Sequence, residues 1–356
     1  MTDNKHVTMI DKDLNSADWN VRRNRVLCED WTPTPEQVAR GLADANKSVR
    51  SAWAERMDWN PTPEQVEIGL NDRWTLVRQA WAERTDYAPT AEQVSRGLKD
   101  QILAIRLAWA ERKGWTPTPE QVEIGLKDPV SDVRWVWAKR MDFAPTSTQI
   151  ERGLNDVNCD VRAAWAERMD WTPTPEQIEG GLSAGDDYVR TVWALRTDFT
   201  PSSMQVERGL KDPDWRVRRA CAQRSDFTPS YVQTERGLND VDPFVRAAWS
   251  ERSDSTPTAA RVETGLTDRY SYIRVVWAQR MDWTPTCAQV ERGMEDHNID
   301  VRIAWIMRMD VTHTSEQMKN GLNDREKLVR DAWTERLKVE QELLLNDEHE
   351  LVGGSL

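Results

Sequence analysis

The sequence predicts an all-α protein: a right-handed α-solenoid of about eleven 28-residue two-helix repeats with atypical terminal caps. Three observations carry this. Arginine recurs every 28 residues at Arg22, Arg50, Arg78, Arg106, Arg134, Arg162, Arg190, Arg218, Arg246, Arg274, Arg302 and Arg330. Three residues after it stands tryptophan in ten of those twelve copies, from Trp53 to Trp333, with Arg25 and Cys221 as the exceptions. A glycine-leucine pair such as Gly153-Leu154 closes each unit, with Met294 replacing leucine once. Self-similarity at this period is the mark of a repeat architecture, in which each unit buries its apolar face only by stacking on the next.

Residues 1–16 read as a loose polar leader, and 17–30 as an N-terminal cap half-repeat in which Arg25 and Cys28 replace the recurring tryptophan and second arginine. Each full unit then reads as two short helices. In the first, Thr34 is a suited N-cap, Pro35 suits the first helical position, and Gln37 completes a capping box; the same residues return at Thr62, Thr118 and Thr174. Val38, Gly41 and Leu42 form an apolar stripe. The glycine, present in all eleven full copies, predicts close approach of two helix backbones, or else a helix end. The second helix spans roughly Lys47 to Met57, with Val49, Ala52, Trp53 and Arg56 on one face. Asp58 and an aromatic-Thr-Pro segment stop it. The aromatic (Trp31, Trp59, Tyr87, Trp115, Phe143, Trp171, Phe199, Phe227, Trp283; Ser255 and Val311 in two copies) reads as a plug between consecutive units. The repeat domain covers 17–338. A helix extension over Leu337–Leu345 and a disordered acidic and glycine-rich tail from Asn346 complete the chain.

The formal charge is -12 and the apolar fraction 38%, which suits a thin stack close to solvent. An acidic chain argues against a general phosphate-backbone binder, since that affinity comes from Lys and Arg, although one basic face is compatible with it. Cys28, Cys159, Cys221 and Cys287 are far apart and predict no disulfide framework or thiolate metal site. No apolar run is long enough for a membrane span, and the first residues lack a signal-peptide core. A cytoplasmic protein with no membrane association is expected.

The unit Asp-x-x-x-x-Val-Arg-x-x-Trp-Ala, followed by Thr-Pro-x-x-Gln-Val-x-x-Gly-Leu-x-Asp, resembles two α-solenoid families over about nine-tenths of the chain. Its Val-Arg half is similar to the second helix of HEAT-like repeats, and the full unit resembles the leucine-rich repeat variant. The resemblance implies a fold and no activity. The unit is longer than is usual for the variant family, and tryptophan stands where that family has a small aliphatic residue. The iron–sulfur cysteine cluster of some variant-family proteins has no counterpart here, so no cofactor is expected.

Arg50 and its equivalents (Arg78, Arg106, Arg134, Arg162, Arg190, Arg218, Arg246, Arg274, Arg302, Arg330) border the buried stripe, and a buried guanidinium needs an anion. The periodic Asp44 and Asp58 are its candidates, giving a structural ladder; the competing reading is a line of arginines gripping an acidic partner. The tryptophans lie on the apolar face and read as core rather than as base-stacking platforms. Where the repeat varies, Trp74, Trp135, Trp215, Phe244, Tyr270 and Tyr272 are candidate partner-binding residues, since per-repeat variation often maps to the binding face and aromatics dominate interface hot spots. The competing reading is drift in unconstrained loops. His6, His297, His313 and His349 share no spacing with one another or with a cysteine, and no phosphate loop or nucleophile motif occurs. The expectation is a non-enzymatic solenoid that binds a protein partner as scaffold, adaptor or inhibitor; the alternative is a nucleic-acid binder with a basic concave face.

Overall fold

The computed structural model describes residues 10–254 and 257–353, with side chains as far as 341. Residues 1–9 of the leader (His6 among them), the Ser255 plug position and residues 354–356 lie outside the described residues, as does the side chain of His349. Contacts divide the chain into two compact units, Met1–Pro173 and Thr174–Leu356. Among the described residues every regular element is a helix.

Short helices alternate as the repeat predicts, for instance Pro35–Leu42 then Lys47–Glu55, and Pro119–Leu126 then Ser131–Lys139. The capping boxes form: the Thr34 hydroxyl accepts from the Gln37 amide at 3.3 Å, and the Gln37 side-chain oxygen accepts from the Thr34 amide at 2.9 Å. The second helix of the first full repeat starts on the side-chain cap Asn46, whose oxygen accepts from Ser48 at 2.8 Å, and ends where Arg56 turns extended, while those that follow Trp74, Ile102, Val130 and Tyr270 start without a side-chain cap. Helices of eight or nine residues do not persist alone. Within each unit the second helices pack on those of the neighbouring repeats and on the first helix of their own repeat. Val66, Trp81, Val94, Trp109, Val122 and Trp137 line one core, and Val262, Trp277, Val290 and Trp305 another.

The recurring glycine has a different cause from backbone-to-backbone approach. A Cβ on Gly41 would fall inside the indole of Trp53, and the same holds for Gly125 with Trp137 and Gly265 with Trp277. The missing side chain makes room for the unit's own tryptophan. Where Cys221 replaces tryptophan, Gly209 faces its sulfur instead.

The plugs Trp31, Trp115 and Trp283 stand edge-on to the tryptophan one repeat on, Trp53 at 5.9 Å, Trp137 at 6.2 Å and Trp305 at 6.1 Å between centroids, whereas Tyr87, Phe143 and Phe199 meet the tryptophan six residues before them, Trp81, Trp137 and Trp193, at 6.3 to 6.4 Å. Their other contact is the second arginine of that next repeat, as Arg56 lies over Trp31 at 4.6 Å.

Both ends differ from the composition-based reading. The leader is not loose throughout: residues 10–14 are helical, and Ile10 and Leu14 are buried against Trp31 and Val38. Spaced by one helical turn, they cover the open face of the first repeat. Asp11 also accepts from Gln37 at 2.9 Å. At the other end one helix runs from Lys327 to Gly353, past the point where disorder is expected from composition. Its Glu- and Leu-rich sequence has high helix propensity.

Candidate protein-interaction surface

The repeating arginines are spent on the scaffold. Arg50 donates through Nε and Nη2 to both carboxylate oxygens of Asp72, at 2.6 and 3.0 Å, and through Nη1 to the Asp44 carbonyl at 2.7 Å. The partner is thus the aspartate of the following repeat, 22 residues on. The same pairing joins Arg78, Arg106 and Arg134 to Asp100, Asp128 and Asp156, and Arg190, Arg218, Arg246, Arg274 and Arg302 to Asp212, Asp240, Asp268, Asp296 and Asp324. Bidentate pairing of this kind is strong and directional. The separate pair that the second arginine makes with the aspartate two residues on holds the carboxyls of Asp58, Asp282 and Asp310 below their ordinary range beside Arg56, Arg280 and Arg308. Arg162 and Arg330 keep the carbonyl half of the pattern, donating to Asp156 and Asp324; the sequence puts Ala184 and Val352 at the aspartate's position.

The second arginine is stitched backwards. Arg56 donates to the carbonyls of Val26, Cys28 and Trp31 at 2.7 to 2.8 Å, satisfying the last turn of the preceding helix, while Asp58 neutralises it. The tryptophans are buried: Trp81 and Trp137 have no accessible surface. Neither set is free to grip a ligand.

The non-repeating aromatics are arranged differently. Trp215 opens the helix Trp215–Gln223, Phe244 is the second residue of Pro243–Ser250, and Tyr272 is the second residue of Ser271–Gln279, with Tyr270 at its N-cap. Because successive second helices pack side by side in one register, these rings meet. Trp215 and Phe244 stack at 5.3 Å with planes 28° apart, Phe244 and Tyr272 at 5.8 Å and 19°, and Tyr270 lies 5.7 Å from Tyr272. The result is a four-ring ladder on the N-terminal edge of three neighbouring second helices. Phe244 is 47% exposed and the others are half-buried.

Arginines lie on its faces: Arg216 over Trp215 at 5.0 Å, Arg219 over Phe244 at 5.8 Å and Arg269 over Tyr270 at 4.7 Å. Asp214 and Asp242, occupied as helix caps, supply the counter-charge. Burial pushes the Tyr272 hydroxyl above its ordinary value, and that hydroxyl lacks a hydrogen-bond partner. The ladder is therefore apolar at its centre and carries charges of both signs at its rim, where Arg216 pairs with Asp214 and Asp187.

Of the six aromatics singled out in the sequence, four come together here. Trp74 and Trp135 belong to the other unit. Trp74 is an N-cap residue with Lys47 Nζ 4.1 Å from its ring, and Trp135 sits mid-helix with Lys139 Nζ at 4.4 Å. The rim arginines Arg216 and Arg219 escaped the sequence reading, as did the exposed Tyr188, which shares the register of Phe244 and Tyr272. The 28-residue alignment contained that signal. Among the described residues no cluster of histidine, cysteine and carboxylates could hold a metal, and no described helix is long and apolar enough to cross a membrane.

No family profile matches the chain, and no curated protein matches it. Among solved structures, it is similar to a leucine-rich repeat variant with a novel repetitive structural motif, at 22% identity over 67% of this chain and 87% of that one, with a TM-score of 0.49. It is also similar to a structure of tubulin recruitment and assembly by microtubule polymerases with TOG domain arrays. There the identity is 10% over 92% of this chain and 99% of that one, and the TM-score 0.27. Likenesses this distant transfer no function. On its own geometry, the alternation of short paired helices at a 28-residue period fits the HEAT-like class of helical repeats.

Proposed function

We propose that this chain is a non-enzymatic α-solenoid that binds a protein partner, as scaffold, adaptor or inhibitor, and that the Trp215–Phe244–Tyr272–Tyr270 ladder is a principal contact surface. The observation that carries the reading is the contrast between repeating and non-repeating residues. Repeating arginines and tryptophans are consumed by packing and ion pairs, whereas four non-repeating aromatics converge on one accessible edge. Aromatic and arginine side chains clustered around an apolar centre are the composition of interface hot spots. Four unpaired cysteines suit a reducing, cytoplasmic setting.

Affinity purification of the tagged chain from its native cells, with and without nuclease, tests this. A stoichiometric protein that survives nuclease and is lost from the Phe244→Ala/Tyr272→Ala variant is the expected result. Recovery of nucleic acid, with proteins lost on digestion, would sink the reading in favour of nucleic-acid binding.

A further inference from the structure

One stretch breaks the repeat in four places at once. Lys113 is the only lysine at a position otherwise held by Met, Thr, Ser or, in the first and last copies, Glu29 and Leu337; Gly114 replaces the aspartate of the Asp58 series. Trp135 is the only aromatic at its position, and Lys139 the only cation where Glu55, Glu83, Glu111, Glu167 and Glu251 stand in sibling repeats. These four residues are distant in sequence by up to one repeat, yet they line a single groove of about 890 Å³.

The corresponding groove four repeats further on, bordered by Ser225, Ala248 and Glu251, measures about 430 Å³. The groove is thus a generic feature of the stack that has been enlarged and recharged at one repeat. Relative to a Thr-Asp-Glu sibling, Lys113 adds a positive charge, Gly114 removes a negative one, and Lys139 exchanges negative for positive. In a chain of net charge -12, this is a swing of four charges in the opposite direction.

The missing aspartate has a further effect. Arg84 donates through Nε to Asp86 at 3.0 Å and Arg140 to Asp142 at 3.0 Å, but the Nε of Arg112 is buried without a hydrogen-bond partner. Arg112 is left as an under-compensated charge beneath the groove wall. Gly114 has φ +88°, and a Cβ there would meet open space. The acidic groups nearby are Glu111, Asp142, which is taken by Arg140, and Glu167, 3.7 Å from Lys139. Trp135 and Met141 supply exposed apolar surface in the same groove.

We infer that this groove binds a carboxylate-bearing peptide segment of another protein. An Asp or Glu side chain meets Lys113 and Lys139, and an adjacent apolar residue lies on Trp135 and Met141. Charge complementarity commits the occupant to an acidic segment: the groove is cationic where its siblings are neutral or acidic, and its walls are aromatic. The inference rests on the protein-binding reading and adds a second contact, in the other unit, with a stated partner chemistry.

The test is selection of a random heptapeptide display library on the full chain. Two variants serve as controls: Lys113→Thr/Lys139→Glu, and Phe244→Ala/Tyr272→Ala. The first installs the residues that the preceding repeat has at Thr85 and Glu111 and leaves Gly114, whose φ an L side chain rarely adopts, in place; a melting curve checks the fold. Peptides pairing Asp or Glu with an apolar residue should be enriched about ten-fold on the wild type and on the ladder variant, relative to the groove variant. Enrichment without acidic residues, or equal enrichment on the groove variant, overturns the proposal. Enrichment lost only on the ladder variant overturns it while leaving the protein-binding reading intact. Enrichment of nothing overturns it too, and the wider reading then stands or falls on partner capture. A single-stranded oligonucleotide that binds the wild type and not the groove variant, where no peptide does, would assign the groove to nucleic acid instead.

Discussion

Gly153 has no side chain because the indole of Trp165, twelve residues later, fills the space a Cβ would take. The pair is the unit's keystone: the tryptophan lies flat against the first helix of its own repeat, and the glycine is what lets it do so. It accounts for the co-occurrence of the two residues in ten repeats, and Gly209 beside Cys221 is the one departure.

Gly153→Ala should therefore destabilise the protein although alanine is the better helix former. Overpacking a rigid indole costs about 1–3 kcal/mol, against a propensity gain of about 1 kcal/mol. Gly209→Ala meets only the Cys221 sulfur, which moves by rotation about one bond, and should be close to neutral. Chemical denaturation of the two variants checks the contrast; equal losses would show that the glycines serve the helix end instead.

The indole nitrogens distinguish one repeat from the others. Trp277 Nε1 donates to the Ser250 hydroxyl at 2.9 Å, whereas Trp81 and Trp137 have buried nitrogens without a partner, because Ala54 and Ala110 stand at the serine's position. Ser250→Ala should lower stability by about 1 kcal/mol, the cost of leaving a buried donor unmatched. An unchanged unfolding midpoint would mean that the bond contributes nothing.

The most buried rung is Arg106–Asp128, with Nε to Oδ2 at 2.6 Å. Asp128→Ala leaves a guanidinium without its anion in the interior and should cost about 3–5 kcal/mol. Asp324→Ala removes the looser partner of Arg302, 3.1 Å away and more exposed, and should cost less. Melting of the two variants side by side decides this.

Acid should loosen the first-helix layer. Glu67, Glu123 and Glu179 are held at about 2 by hydrogen bonds, chiefly from Arg96, Arg152 and Arg208. Their folded values lie below the unfolded one, so the stability they contribute is present above about 4.5 and is lost as pH falls towards about 2. Solvent screening keeps each contribution small at these exposed sites. His313 acts higher on the scale. Burial against Trp333, near Arg336, lowers its value from the ordinary 6.5. Its depressed folded value means the unfolded chain takes the proton first, so stability falls as pH drops below 6.5. Melting of wild type and His313→Phe at pH 7.5 and 5.5 should show a difference between the two pH values that the variant lacks.

The helices and their caps were legible because the repeat restates its local rules from copy to copy: a Thr or Ser cap, a Gln three residues on and the tryptophan of the Trp53 series recur in one spacing. Partner choice was harder to see. Arg50 could pair with the aspartate on either side, and nothing in one repeat says that Asp72 rather than Asp44 receives its fork. The glycine's role needed the ring orientation of Trp53, and the aromatic ladder needed the stacking register that sets Phe244 beside Tyr272. Composition misled at the ends, where Ile10 and Leu14 act through two side chains that a polar average conceals.

The central claim is that repeating residues hold the fold and non-repeating ones meet the partner. Thermal unfolding and partner capture measured together on two variants test it most directly. Phe244→Ala/Tyr272→Ala should unfold with the wild type and lose the partner, while Arg246→Met, which removes the rung to Asp268, should unfold early. A ladder variant that unfolds early yet still captures the partner would contradict the account.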